Sequence, residues 1–168
     1  MMEKQEFLRI CDSTLREMGF TKKGGAYYLI NSDSDLVGAV FLRKSNYGSV
    51  YYVECTITIQ GYNNTFPFPQ YHDVDLSTRF QFPLKMQLQY NPSATHGYSV
   101  DLERNTEAEI KAGIKDGVEE WLLPALRGGK QYILDNWEKY SFHHLSEKVH
   151  AALDQWSISG KMPAKQNV

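Results

Sequence analysis

The sequence has no excess of basic charge. It holds 18 Lys and Arg residues against 20 Asp and Glu residues, which gives a formal net charge of -2 at pH 7. Proteins that bind nucleic-acid phosphates usually carry a basic excess, so this balance disfavours a nucleic-acid partner. The chain also lacks a run of about 18 apolar residues, and its charged first residues do not resemble a secretory signal. We therefore expect a cytoplasmic protein with no membrane association.

Cysteine is scarce, and the pattern of histidines does not suggest a metal site. Cys11 and Cys55 fall on predicted core faces, so we interpret them as buried thiols of a reducing compartment. No Cys/His spacing typical of zinc occurs. One stripe of the last predicted helix carries four potential ligands: His143, Glu147, His150 and Asp154. Because this stripe lies opposite the apolar one, it would face solvent, and we predict no metal and no other cofactor.

Signatures of the common enzyme mechanisms are also missing. The chain has no Gly-rich phosphate loop, no nucleophile elbow and no kinase motif. Its two glycine pairs, Gly24-Gly25 and Gly128-Gly129, stand where a turn and a helix end are expected. These absences favour binding over catalysis but leave both open.

Apolar and aromatic residues are plentiful enough to form one core. Apolar residues make up 42% of the chain, with 8 Phe, 11 Tyr and 3 Trp. A chain of 168 residues has the size of a single domain. We place this domain at residues 1–156 and expect the polar residues 157–168 to form a flexible tail.

Hydrophobic periodicity predicts an α+β fold. The first helix is predicted at residues 3–18, and helices return between residues 106 and 156, where a capping box begins the first of them. Strands are predicted at 26–30, 36–43, 50–60 and 79–90. Short turns between the first three strands imply antiparallel pairing. The predicted architecture is an antiparallel four-stranded meander with an N-terminal helix and C-terminal helices packed on one face. The other, polar face of the sheet would meet solvent or a partner.

The fourth predicted strand shows the clearest alternation of apolar and polar residues, although Pro83 favours an edge position or a bulge. We expect seven side chains from this strand, the third strand and the helices to be largely buried: Val53, Ile57, Leu84, Met86, Leu88, Trp121 and Trp137.

Three short motifs near the start of the sheet resemble a known family. They are Gly19-Phe20-Thr21-Lys22-Lys23-Gly24, then Tyr27-Tyr28, then Leu42-Arg43-Lys44-Ser45 ahead of the strand at 50–60. With the order of elements, this stretch resembles the bacterial family called domain of unknown function 4304. The resemblance implies an uncharacterised protein and brings no catalytic residues. Some small domains of this general kind act as immunity proteins against toxins.

Four basic residues are expected at one end of the sheet. Antiparallel pairing brings Lys22 and Lys23, before the first predicted strand, beside Arg43 and Lys44 at the end of the second. Tyr47 follows directly in the next turn. Such a cluster can grip a phosphate or an acidic protein surface. It can equally be a solvated sheet end whose charges discourage edge pairing.

The long connection at residues 61–78 is a second candidate region, because loops of this length are often functional. Its aromatic residues Phe66, Phe68 and Tyr71 could cover the core or present a recognition surface. Two carboxylates and an imidazole also lie close together in this loop and could perform acid–base chemistry: His72, Asp73 and Asp75.

The leading hypothesis is a non-enzymatic interaction or accessory protein, of which an immunity protein is one kind, that binds an acidic or phosphate-bearing protein partner. Its expected binding residues are Lys22, Lys23, Arg43, Lys44, Tyr47, Phe66, Phe68 and Tyr71. The alternative is a small hydrolase-type enzyme with its site under loop 61–78, where His72, Asp73 and Asp75 would be the catalytic groups.

Overall fold

The computed structural model describes residues 1–86, 88–141 and 146–165 and has the predicted α+β architecture. The helices are α1 (Lys4–Glu17), α2 (Glu107–Gly117), α3 (Leu123–Asp135) and α4 (Ser146–Ser159), with a π-helical segment at Val118–Leu122 and 3-10 turns at Tyr71–Asp73 and Trp137–Lys139. The strands are β1 (Thr21–Lys23), β2 (Ala26–Ile30), β3 (Leu36–Lys44), β4 (Val50–Ile59), β5 (Leu76–Arg79), β6 (Phe82–Pro83), β7 (His96–Gly97) and β8 (Val100–Asp101). Within these residues, no helix is long and apolar enough to cross a membrane.

Local sequence signals account for the two helices that pack on each other, α1 and α2. In α1, Phe7, Ile10 and Leu15 recur at helical spacing and are fully buried. The predicted capping box begins α2, since the Thr106 hydroxyl accepts a hydrogen bond from the Glu109 N–H and the Glu109 carboxylate accepts one from the Thr106 N–H. The start of α2 is therefore fixed by residues that the sequence identifies.

The main sheet is an antiparallel meander in the order β1-β2-β3-β4-β5, and β8 pairs with the end of β4. The predicted pairing of the strands at 26–30, 36–43 and 50–60 is confirmed. β1 is an additional edge strand that the sequence did not indicate. A two-residue turn at Gly24-Gly25 joins it to β2, with Gly24 at a φ of 63° that favours glycine.

The predicted strand at 79–90 is wrong. Among the described residues from 76 to 90, Leu76–Arg79 forms the strand that pairs with β4, after which the chain leaves the main sheet and Phe82–Pro83 pairs with His96–Gly97 in a separate hairpin. Phe80 and Phe82 point at α2, where a Cβ on Gly117 or Gly113 would lie within 2.2 or 2.5 Å of their rings. The first two apolar residues of the alternation therefore pack against a glycine-lined face of α2, and Pro83 cannot continue a ladder.

Burial of the predicted core residues follows this change of course. Val53, Ile57 and Trp121 are buried as expected. Leu84, Leu88 and Trp137 are only partly buried, and Met86 is 57% exposed. Leu84, Met86 and Leu88 follow β6 in the chain and belong to no strand of the main sheet. Both cysteines, Cys11 and Cys55, are free buried thiols, and burial raises the pKa of each.

The second face of the sheet is covered, which corrects the expectation that it meets solvent or a partner. The polar side chains of β4 on this face are buried: Glu54 is 4% exposed, and Thr56 and Thr58 are fully buried. Residues 62–75 fold across it, and a small second cluster of Ala26, Tyr28, Ala39, Phe41 and Val74 forms beneath them. The helices cover the first face, where the larger core lies.

The C-terminal segment follows the surface of the domain. α4 extends to Ser159, three residues past the predicted domain boundary at 156. Beyond it, the Lys165 N–H donates to the Tyr62 carbonyl oxygen at 2.7 Å, and Met162 packs against the core. The last residues that the structure describes therefore contact the loop that covers the sheet.

Candidate functional site

The four basic residues expected at one end of the sheet do not share one surface. Lys22 pairs with Tyr27 and Lys44 with Tyr51, whose rings belong to the helix-covered core. Because neighbouring residues of a strand point to opposite faces, Lys23 and Arg43 lie on the loop-covered face instead. The structure brings Lys23 and Arg43 to the same face and separates them from Lys22 and Lys44.

Each basic side chain on the loop-covered face lies over an aromatic ring. Lys23 Nζ is 3.7 Å from the centroid of Phe68, Arg43 Cζ is 4.3 Å from that of Tyr71, and Arg79 Cζ is 4.0 Å from that of Tyr52. Such cation–π contacts hold long flexible side chains in place. We call this set the arginine–aromatic surface; it consists of Lys23, Arg43, Tyr52, Phe68, Tyr71 and Arg79.

One buried carboxylate serves two of these cations. Glu54 Oε1 accepts hydrogen bonds from Arg43 Nη1 at 3.3 Å and Arg79 Nε at 3.2 Å. The Glu54 side chain is 6% exposed, whereas those of Arg43 and Arg79 are 46% and 43% exposed. Arg43 Nη1 also donates to the Tyr71 hydroxyl, and burial, followed by the nearby Glu54, raises the pKa of Tyr71. The surface therefore presents three cations against a single carboxylate.

The loop aromatics serve mainly as a cover. Phe68 meets Tyr28 edge-on at a centroid distance of 5.2 Å, and Tyr71 meets Phe41 edge-on at 5.5 Å. Phe68 and Tyr71 nevertheless remain 39% and 37% exposed. Phe66 is half-buried beside them. The same two rings thus shield the small core and support the cations above.

Tyr47 stands apart from this arrangement. It lies in the turn between β3 and β4, where the Ser45 hydroxyl accepts a hydrogen bond from its N–H at 3.1 Å. Its side chain is 84% exposed. The turn holds its backbone but nothing in it fixes the ring on the arginine–aromatic surface.

A cleft of about 760 Å³ opens beside the arginine–aromatic surface. Residues 77–81 form one wall, with Arg79 in it, and Glu54 and Tyr71 lie at the same side. Asp116, Glu120 and Trp121 form the other wall. Pro124 has no N–H to bond the Glu120 carbonyl, which fits the π-helical turn at Val118–Leu122 that shapes this wall.

The three candidate catalytic residues line a second cavity, of about 580 Å³, between the loop and α4. The His72 side chain is 80% exposed, and its Nε2 lies 3.5 Å from Asp73 Oδ1. Asp75 is buried, and its carboxylate accepts hydrogen bonds from the Ile59 N–H at 2.8 Å and the Asn63 amide at 2.9 Å. Lys165 Nζ lies 3.3 Å from the same carboxylate. Asp75 therefore has a structural role, because its carboxylate connects the loop to the end of β4 and to Lys165.

The predicted histidine stripe is only partly within the described residues, since His143 lies outside them. His150 stacks on the Trp137 ring at a centroid distance of 4.4 Å, and its Nε2 is 3.8 Å from Asp154. Among the described residues, no group of three His, Cys, Asp or Glu side chains could hold a metal ion.

Three residues of the arginine–aromatic surface or its support were not among the predicted binding residues: Tyr52, Glu54 and Arg79. The alternation in β4 did place Glu54 on the polar face, which was the available signal. Finding its partners requires the register, in which Glu54 is opposite Arg79 on one side and Phe41, two residues before Arg43, on the other.

Comparisons with known proteins identify a family but no characterised relative. No curated protein and no solved structure matches the chain. One family model matches residues 11–123, about two thirds of the chain, and this range contains all three motifs that carry the resemblance. Its description is domain of unknown function (DUF4304). The chain belongs to the DUF4304 family.

Proposed function

We propose that this protein is a non-enzymatic, cytoplasmic interaction protein that binds an acidic segment of a protein partner through the arginine–aromatic surface. The observation that carries the proposal is the ratio of charges: Lys23, Arg43 and Arg79 each stand over an aromatic ring, and the one carboxylate among them, Glu54, pairs with the two arginines. An accessory protein, including one of the immunity type, would use such a surface.

The stacking geometry favours binding because it prepares the cations in advance. Ordering a long side chain at an interface costs about 0.5–1.5 kcal/mol, and side chains already held over rings avoid part of this cost. Arg43 uses Nη1 and Arg79 uses Nε for Glu54, so the exposed remainder of each guanidinium faces solvent. Guanidinium groups bind carboxylates and phosphates with paired, directional hydrogen bonds.

The alternative of a hydrolase under the 61–78 loop has less support. A general base must reach the proton that it abstracts, yet both oxygens of Asp75 accept hydrogen bonds from groups that hold the fold together. His72 projects into solvent beside Asp73. These three residues remain a candidate set, but the geometry favours a structural role for Asp75.

The test is affinity capture from the native host with two double variants as baits. Lys23→Ala with Arg43→Ala removes two cations from the arginine–aromatic surface and leaves Arg79 to pair with Glu54. Lys22→Ala with Lys44→Ala removes the same charge from adjacent positions on the other face of the sheet. We expect the wild type and the Lys22/Lys44 variant to retain a common partner and the Lys23/Arg43 variant to lose it.

The captured interaction should also weaken with salt, because exposed charges are screened over about 8–10 Å at physiological ionic strength. Thermal melting of both variants checks that each is folded. Equal capture by the two variants, with no dependence on salt, would contradict the proposal.

A further inference from the structure

β5 is an edge strand whose outer side carries unpaired backbone groups. The Phe80 N–H donates to the Val53 carbonyl at 2.9 Å, so Phe80 faces β4. In an antiparallel ladder this orientation alternates, which turns the N–H and C=O groups of Ser77 and Arg79 away from β4. Within the described part of the chain, these groups have no hydrogen-bond partner. An edge of this kind is a template for a further strand.

The cleft beside the arginine–aromatic surface lies along this same edge. Ser77 and Arg79 line it on the β5 side, and Trp121 lines it on the opposite side together with Asp116 and Glu120. Ser77 and Arg79 share the loop-covered face with Glu54, since Arg79 is directly opposite Glu54 in the register. The unpaired edge and the exposed guanidinium of Arg79 therefore open into one space.

We infer that an extended segment of the partner adds to β5 as an antiparallel strand in this cleft, which rests on the proposed function. Hydrogen bonds from Ser77 and Arg79 would hold its backbone, as in other cases of strand addition. Cross-strand neighbours share a face, so the residues opposite Ser77 and Arg79 point to the arginine–aromatic surface and are acidic. The residues between them point to Trp121, Asp116 and Glu120 and are apolar or basic. Acidic residues therefore occupy every second position of the segment.

A single extended segment suits the cleft better than the edge of a second copy of this chain. Strands pair at a separation of about 4.8 Å, so an added strand needs little room beyond the edge. A second copy would bring its own wall of residues 116–121 alongside its own β5, into the space that the first wall occupies.

The test uses three forms of a synthetic hexapeptide of alternating Glu and Val. One form is unmodified, one has N-methyl groups on the Glu amides, and one has them on the Val amides. The Glu amides face β5 in the inferred pairing, whereas the Val amides face away. We expect the Glu-methylated form to bind at least about tenfold more weakly than the other two, which corresponds to about 1.4 kcal/mol.

A protein variant tests the other partner of these hydrogen bonds. Ser77→Pro removes an outward N–H and leaves the ladder to β4 intact, since proline is tolerated where the N–H faces away from the sheet. It should lower the affinity for the unmodified peptide by a similar factor. Lys22→Pro, the same change at an outward N–H of the opposite edge strand β1, is the matched control and should bind normally.

The outcomes separate the inference from the proposed function. Equal, salt-dependent binding of all three peptides would overturn strand addition and leave the acidic-partner proposal standing. No binding of any form to the folded wild type would overturn both. A wild-type dimer in light scattering that Ser77→Pro dissociates would assign the edge to a second copy and overturn the inference.

Discussion

The buried carboxylate of Asp75 links three parts of the chain: the end of β4, the loop that follows it and the C-terminal segment. Burial raises its pKa to about 6, and the hydrogen bonds from Ile59 and Asn63, with Lys165 nearby, lower it only in part. An acid whose pKa is higher in the folded state holds its proton more tightly there than in the unfolded chain. Ionised Asp75 therefore lowers the stability of the fold, and its contacts with Ile59, Asn63 and Lys165 must offset this cost.

The pH dependence of stability should show this cost. A carboxyl pKa raised from about 4 to about 6 lowers the free energy of unfolding by about 3 kcal/mol once the group is ionised. This cost is present in full well above pH 6 and absent below pH 4. Stability from this group should fall as pH rises from 4 to 6. Asp75→Asn has no carboxyl group to titrate. The free energy of unfolding of this variant, minus that of the wild type, should therefore increase from pH 4 to pH 6 in urea melts. Parallel profiles would contradict the buried titration.

Lys165→Gln provides an independent check on the same residue. Lys165 lowers the Asp75 pKa, so removing its charge should raise that pKa further. The fall in stability, which ends near pH 6 in the wild type, should then continue above pH 6. An unchanged profile would mean that the C-terminal segment does not contact Asp75 in solution.

At the scale of elements, a helix or strand is predicted correctly when its apolar residues and caps make contacts close in sequence. The prediction fails when those contacts come from a distant part of the chain. The periodicity that predicts the first helix and the capping box that begins α2 are local signals, and the structure confirms both elements. The run from Phe80 has the pattern of one long strand, but Phe80 and Phe82 meet Gly117 and Gly113, more than thirty residues away in sequence. Its return strand, His96–Gly97, is too short to leave a periodic signal.

A pair of substitutions tests this revised course of the chain. Phe82 is fully buried against α2, and Phe82→Ala should cost about 3–5 kcal/mol of stability. Met86→Ala, four residues later and 57% exposed, should change it by no more than about 0.5 kcal/mol. Urea melts of both variants provide the comparison. Comparable losses of stability in the two variants would contradict this course of the chain and support one continuous strand.

The candidate site follows the same rule. Lys23 and Arg43 could be selected from the sequence because both lie near a hairpin that the turns define. Arg79 could not be assigned to their surface, because the strand to which it belongs was misplaced. The role of Glu54 depends on the register of three strands, which the pattern within a single strand does not determine.

At the scale of the whole molecule, the sheet is covered on both faces and its accessible features lie at its ends and edges. Helices cover one face and the 62–75 loop covers the other. The net charge of -2 conceals a local excess of positive charge at Lys23, Arg43 and Arg79 on the arginine–aromatic surface. A nearly neutral protein with one such patch should bind an acidic segment at that patch and not over the rest of its surface.

The most direct test of the binding account is a two-dimensional NMR titration that records the arginine Nε–Hε groups. An octaglutamate peptide is the probe, and the spectra are collected at low and physiological salt. The predicted result is a saturable chemical-shift change of the Arg43 and Arg79 Nε–Hε signals that becomes smaller with salt. The backbone amide signals of Lys22 and Lys44 should not shift. Shifts confined to the cavity of His72 and Asp75, with Arg43 and Arg79 unchanged, would contradict it.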